Sequence, residues 1–219
     1  LFKDTQKTVT KIFFLYTFLT GIIFVLFAFS GIRLFNSFNL AMSVSSTGAF
    51  LPTNELSEII KYSSQKIILT IAITFSALNI YFFYSIFNNT NTIKKHQEDF
   101  LILAAILFFS SILFFFIRES TFLNILFNVV SSLSNSGLTL NSPPKNFYLF
   151  FIFLTIIGGS VISNSSGIKF LRLYILFKST VLEIFRLVSP NVIIDQRILK
   201  TDHKINNENL NSSFFIFIC

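Results

Sequence analysis

Four long, predominantly apolar windows contain no charged residue: 12–32, 67–93, 100–117 and 146–168, which are 21, 27, 18 and 23 positions long. A helix needs about 20 mostly apolar residues to cross a bilayer, and a central Arg, Lys or Asp costs roughly 2.5–3.5 kcal/mol there. The pattern therefore predicts four spans, the second with its useful core ending near Phe87, ahead of Asn88-Asn89. Two apolar runs between spans, 34–44 and 123–133, are too short to cross. Each is followed by a small polar cluster with one glycine, SSTGAF at 45–50 and SNSGLT at 134–139. Such lengths suit re-entrant helices. The fourth window is interrupted from within: IIGGSVISNSSGIKFLR at 156–172 puts glycine, serine and asparagine where a span should be most apolar.

The two re-entrant stretches match each other. With Gly48 placed on Gly137, an offset of 89, Leu34, Phe38, Asn39, Ser43, Ser45 and Leu51 meet Leu123, Phe127, Asn128, Ser132, Ser134 and Leu140. Internal repeats are frequent in transport proteins. The expected fold is an all-α integral membrane protein built from two tandem repeats of helix, re-entrant pore loop and helix. The first repeat occupies 1–93 and the second 94–188, whose second helix is broken by an intramembrane loop. Residues 189–219 then form a cytoplasmic connector and the opening of a further helix.

Composition agrees with this reading. Only 12% of residues are charged, 53% are hydrophobic and the mean hydropathy is +0.70, against roughly 25% charged in a soluble domain. The net charge of +7 does not point to nucleic acid, because the basic residues lie between the spans. Twelve Lys and Arg fall on one side (Lys3, Lys7, Lys11, Lys94, Lys95, Lys169, Arg172, Lys178, Arg186, Arg197, Lys200, Lys204) and five on the other (Arg33, Lys61, Lys66, Arg118, Lys145). The positive-inside rule then puts both termini in the cytoplasm, in a multi-pass protein of the inner (plasma) membrane. The single cysteine is Cys219, so there is no disulfide framework or CxxC site. His96 and His203 read as solvated loop histidines, Glu55 and Glu58 as a solvated loop face, and Pro143-Pro144 as the turn into the fourth span. No ionisable residue falls inside a window, and such residues are the usual mark of intramembrane chemistry, so an enzyme is not expected. The chain starts at Leu1 and closes on FFIFIC, and both ends read as cut.

Converging backbone carbonyls can replace the hydration shell of a potassium ion. Such a loop must be small and able to reach φ > 0, which glycine permits. Both polar clusters qualify, giving Ser46, Thr47, Gly48 and Ala49, with Asn135, Ser136, Gly137 and Leu138, as candidate ion-binding positions. Each lies at the C-terminal, partially negative end of a short helix, so a cation is favoured without a carboxylate. In the interrupted window, Gly158, Gly159 and Gly167 permit the break, while Ser160, Ser163, Asn164, Ser165 and Ser166 supply partners for the freed backbone groups. Irregular backbone at that depth is tolerated where it is buried or lines a wet cavity.

SVSSTGAF resembles the second selectivity loop of the Trk/Ktr/HKT potassium transporters, and FNVVSSLSNSGLT resembles the third. GGSVISNSSGIKFLRLYILFK is similar to the GG-x-x-G-S-T-x-G-G-I-K-x-x-R stretch in the second helix of that family's third repeat, and RLVSPNVI resembles the R-L-x-H-P-N-x-x segment after it. The resemblance runs from about Thr8 to Phe217. It implies a pore-forming part of a potassium uptake protein, with K+ as the transported ion, no cofactor in the chain, Gly48 and Gly137 as filter glycines and 158–167 as an internal gate. Members carry four repeats around one pore, whereas this chain carries two, the second and third. The implied partners are membrane lipid, a second copy or a complementary chain supplying the other repeats, and a cytoplasmic nucleotide-binding regulator. The alternative is a non-conducting remnant serving at most as a structural membrane module. Lys169 and Arg172 share a helix face and read either as cations of the gate or as anchors snorkelling to the inner headgroups. The chain departs from the family pattern at Ser134-Asn135-Ser136-Gly137, where many relatives have Thr before glycine, and at Asn164-Ser165-Ser166-Gly167, where a glycine pair is usual.

Overall fold

The computed structural model describes residues 2–87, 96–117, 120–140 and 145–188. The helices are α1 (Phe2–Phe29), α2 (Leu34–Ser46), α3 (Leu56–Ile59), α4 (Ser63–Ala77), α5 (Ile80–Phe87), α6 (Gln97–Phe116), α7 (Phe122–Ser134), α8 (Tyr148–Ile156) and α9 (Phe170–Val188). A 3-10 turn at Lys145–Phe147 leads into α8. The connector expected at 189–219, His203 and Pro143-Pro144 lie outside the described residues.

The described part is all-helical apart from one isolated bridge. Val9–Phe29 and Gln97–Phe116 are uninterrupted and long and apolar enough to cross a membrane. Along α1 the phenylalanines at 13, 14, 18 and 29 are exposed. The hydroxyls of Thr10, Thr17 and Thr20 donate to carbonyls four residues back, which satisfies them inside the helix itself.

The short apolar runs at 34–44 and 123–133 do form helices, α2 and α7, each 13 residues long. Helix α1 packs on α2 and α2 on α4, while α6 and α8 both pack on α7. The strongest association joins the halves, with α4 along α7. Leu40, Val44, Leu69, Ile73, Phe127, Val129, Val130 and Leu154 form the buried centre of this arrangement. Gln65 ties the connections down. Its Oε1 accepts from Lys61 N and Tyr62 N, and its Nε2 donates to Ser30 O.

The second window is not one continuous helix. It breaks at Leu78-Asn79 between α4 and α5. Leu78 is extended, at φ −87° and ψ 163°, and the freed Asn79 N–H donates to Asp99 Oδ1 at 2.8 Å. Asn79 Oδ1 in turn accepts from Tyr81 N at 2.9 Å, an Asx cap on α5. Asn79 is the local mark of this break, but its partner carboxylate lies twenty residues away on α6. The break expected in the fourth window is present, between Ile156 and Phe170. The second helix is therefore interrupted in both halves.

Candidate functional site

Helices α2 and α7 end in the same way. Thr47 and Asn135 adopt the left-handed conformation, with φ 53° and 56°. Gly48 N donates to Ser43 O and Thr47 N to Val44 O; Ser136 N donates to Ser131 O and Asn135 N to Ser132 O. Both ends are Schellman caps. Two residues later the backbone returns to positive φ, at Ala49 (54°) and Gly137 (64°).

These pairs fix the structural register at 88, where the glycine match in the sequence suggests 89. Ala49, not Gly48, is the counterpart of Gly137, and Gly48 corresponds to Ser136. The reason is the cap: the left-handed residue that ends each helix sets the count, and the glycine falls one position apart in the two copies. A Cβ placed on Gly137 would stand 3.2 Å from Ala49 Cβ, so the two loops touch at these equivalent residues.

The carbonyls of Thr47, Gly48, Ala49, Asn135, Ser136 and Gly137 accept no hydrogen bond among the described residues. Two expected positions behave differently. The Leu138 carbonyl accepts the Ser131 hydroxyl at 2.6 Å, and the Leu138 side chain is buried. The Ser46 carbonyl accepts the Thr47 hydroxyl at 2.7 Å, at the end of α2. Ser136 is fully buried, with its hydroxyl against that of Ser131, so only its backbone is left to face a path.

Residues 157–169 leave α8, turn and return, with Gly158 N donating to Ile168 O and Ile168 N to Ile156 O. The turn closes too tightly for side chains at its start. A Cβ at Gly158 would lie 2.3 Å from Ser166 O, and one at Gly159 2.3 Å from Ala77 O. Ser165 Oγ accepts Gly159 N, and Ser163 Oγ reaches Ser160 O and Ser165 Oγ. Ser160 departs from its expected role: its hydroxyl is buried with no partner among the described residues.

This turn is attached to both loops. Asn164 Nδ2 donates to Ser45 O in the last turn of α2 at 2.7 Å, and Thr47 Oγ1 donates to Asn164 O at 3.3 Å. Asn135 Nδ2 donates to Ser166 O at 3.1 Å. The filter and gate candidates are thus one cluster, joined by asparagine side chains. Lys169 turns onto the loop, where Nζ donates to Ser163 O and Ser165 O. Arg172 lies half-buried in the first turn of α9. Glu55 and Glu58 are exposed.

Sequence reasoning missed the first turn of α6. His96 is not a solvated loop residue: it is 7% exposed, with Nδ1 3.1 Å from Asp99 Oδ2 and Nε2 2.9 Å from Ser85 Oγ. Its ring also meets Phe82 edge-on. Glu98 Oε1 accepts Val161 N and Leu171 N. An acidic pair at a helix N-terminus signals a favourable dipole, but its long-range partners leave no mark in the local pattern.

No family model matches the chain. An uncharacterized cation transporter of Methanocaldococcus jannaschii is 24% identical over 224 residues, which cover 97% of this chain and 44% of the relative. The crystal structure of the potassium transporter TrkH from Vibrio parahaemolyticus matches 97% of the chain with a TM-score of 0.84 and 19% identity. The chain has the TrkH fold. It spans 48% of TrkH and 44% of the archaeal relative, about half of each.

Proposed function

We propose that the chain forms part of the pore of a potassium uptake protein. K+ passes between the loops at 47–49 and 135–137, and residues 158–167 obstruct the path on its cytoplasmic side. The observation that supports this most is the meeting of two equivalent left-handed loops, at Ala49 and Gly137, with carbonyls that lack partners among the described residues. Two helix C-termini aim partial negative charge at that point, and desolvated carbonyls are the ligands K+ takes in a filter. The polar turn tied beneath by Asn135 and Asn164 is a barrier held by a few side-chain hydrogen bonds, which suits a gate. Potassium, more than cations at large, is favoured by the name of the TrkH neighbour and by the loop resemblance.

Two loops make an incomplete ring, and the exposed faces fit two further helix–loop–helix units, from a second copy or a complementary chain. In the register of 88, Met42 on α2 is 49% exposed where its counterpart Val130 on α7 is 1% exposed. Aligning the helix breaks pairs α4 with α8, and Ile152 is then 57% exposed where Ile73 is 0% exposed. Each half thus leaves open a face that the junction of α4 and α7 closes. Lipid is a poor cover for α2, because loop backbone at membrane depth needs protein or water around it. A cytoplasmic nucleotide-binding regulator and an inner-membrane location with cytoplasmic termini belong to the same proposal.

The test is potassium uptake by potassium-starved cells that make the chain alone or together with two further units. Uptake is expected only from the completed ring. No uptake by a correctly inserted, completed protein would sink the transport reading and favour the non-conducting membrane module.

A further inference from the structure

The first turn of α6 carries two adjacent carboxylates, Glu98 and Asp99, that do different work on two separate chain breaks. Asp99 is 1% exposed. Its Oδ1 accepts Asn79 N at the start of α5 and its Oδ2 meets His96 Nδ1. Glu98 Oε1 accepts Leu171 N at 3.3 Å, in the first turn of α9, and Val161 N at 3.1 Å, within the loop under the filter. One helical turn thus caps both interrupted second helices.

The loop and the α4–α5 break also bond directly to each other. Ser160 N donates to Ala77 O at 3.0 Å and Ile80 N to Ile162 O at 3.2 Å. From the filter the loop is held by Asn135, Thr47 and its own Asn164. From outside it is held by those two backbone bonds, by Glu98, and from the start of α9 by Lys169 Nζ on Ser163 O and Ser165 O and by Phe170 N on Gly159 O. Backbone bonds between two breaks allow the pair to move as a unit, whereas Glu98 is fixed to the continuous helix α6. One side-chain oxygen on α6 thus anchors two points of the chain, Val161 in the loop and Leu171 in α9.

We propose that Glu98 is the positioning residue that holds the 158–167 loop across the ion path, with Asp99 fixing the second break beside it. The carboxylate joins the loop to the first turn of α9, so loss of its bonds lets the loop swing away from α6 while α6 and α7 stay packed. The meaning of that movement for ion flow rests on the proposed pore, but the movement itself does not.

The reporter is Ser160→Cys in a Cys219→Ser background. The Ser160 hydroxyl is fully buried and makes no bond among the described residues, so the thiol replaces nothing it needs. The reconstituted chain is treated with a membrane-impermeant maleimide and the modification rate is followed. Glu98→Ala is expected to raise the rate at least tenfold, which corresponds to about 1.4 kcal/mol of easier opening. Glu98→Gln keeps a carbonyl oxygen on the same stem and is expected to return the rate to within about threefold of the parent, as no general loosening would. A second reporter, Ser134→Cys at a fully buried position of α7, is expected to stay protected throughout. Unchanged labelling at position 160 in Glu98→Ala, or equal labelling at 134, would overturn the proposal, as would a glutamine variant that behaves like alanine. Because the readout is chemical, failure here leaves potassium uptake to be judged on its own assay.

Discussion

The close approach of Gly159 to the break between α4 and α5 gives a sharp quantitative expectation. A methyl group at 159 would lie 2.3 Å from Ala77 O and 2.6 Å from Ser165 Oγ. The serine can rotate, but the Ala77 carbonyl is backbone, and it already accepts Ser160 N at 3.0 Å. Gly159→Ala must therefore push the loop off α4 and break that bond. Overpacking costs typically 1–3 kcal/mol and a lost hydrogen bond about 1 kcal/mol, together about 2–4 kcal/mol. At about 2–4 °C per kcal/mol for a chain of this size, the melting midpoint should fall by about 4–16 °C. The assay is thermal loss of the monodisperse peak in detergent. Gly21→Ala is the internal control: a methyl added there would have no neighbour within 4 Å, the position sits inside α1, and alanine should stabilise it by about 0.5–1 kcal/mol. A Gly159→Ala midpoint within about 1 °C of the parent, or an equal fall for Gly21→Ala, would refute the packing of this loop against α4.

Further expectations follow from the two loops and from the α6 turn. Gly137→Ala places a methyl at φ 64° and 3.2 Å from Ala49 Cβ; left-handed backbone costs roughly 1–2 kcal/mol for a non-glycine residue, so potassium flux through the completed pore and thermal stability should both fall. Ala49→Gly relieves the same strain in the first loop and should raise the midpoint, a result that Gly48→Ala cannot mimic if 88 is the true register. Asp99→Leu leaves Asn79 N and His96 without their buried partner at about 1–3 kcal/mol for each unsatisfied group. Its midpoint in the same detergent assay should fall well below that of Asp99→Asn, which retains an acceptor oxygen.

Much of this arrangement was legible in the chain because membrane depth makes polarity conspicuous. The charge-free windows announced α1 and α6. The apolar runs too short to span announced α2 and α7, and Gly158-Gly159 announced the turn after α8. What was not legible depends on contacts between distant segments. The break at Leu78-Asn79 has no glycine or proline, because Asp99 supplies the acceptor that a local residue would otherwise provide. His96 looked like a loop histidine because its partners, Asp99 and Ser85, are joined to it only by folding. The glycine match and the structural register differ by one because the glycines fall one position apart in the two loops, whereas the left-handed caps at Thr47 and Asn135 are formed by non-glycine residues. The bond from Asn164 to Ser45, across 119 positions, joins the end of α2 to the turn after α8 and left no local signal.

The central claim is that the loops around Ala49 and Gly137 face a common site for a potassium-sized cation. The most direct measurement is anomalous diffraction from crystals of the assembled protein grown in rubidium, which stands in for potassium and can be located by its own scattering. The account predicts a rubidium peak between the carbonyls of residues 47–49 and 135–137, on the filter side of Asn164. An empty site between ordered loops, with rubidium bound elsewhere along the chain, would contradict it.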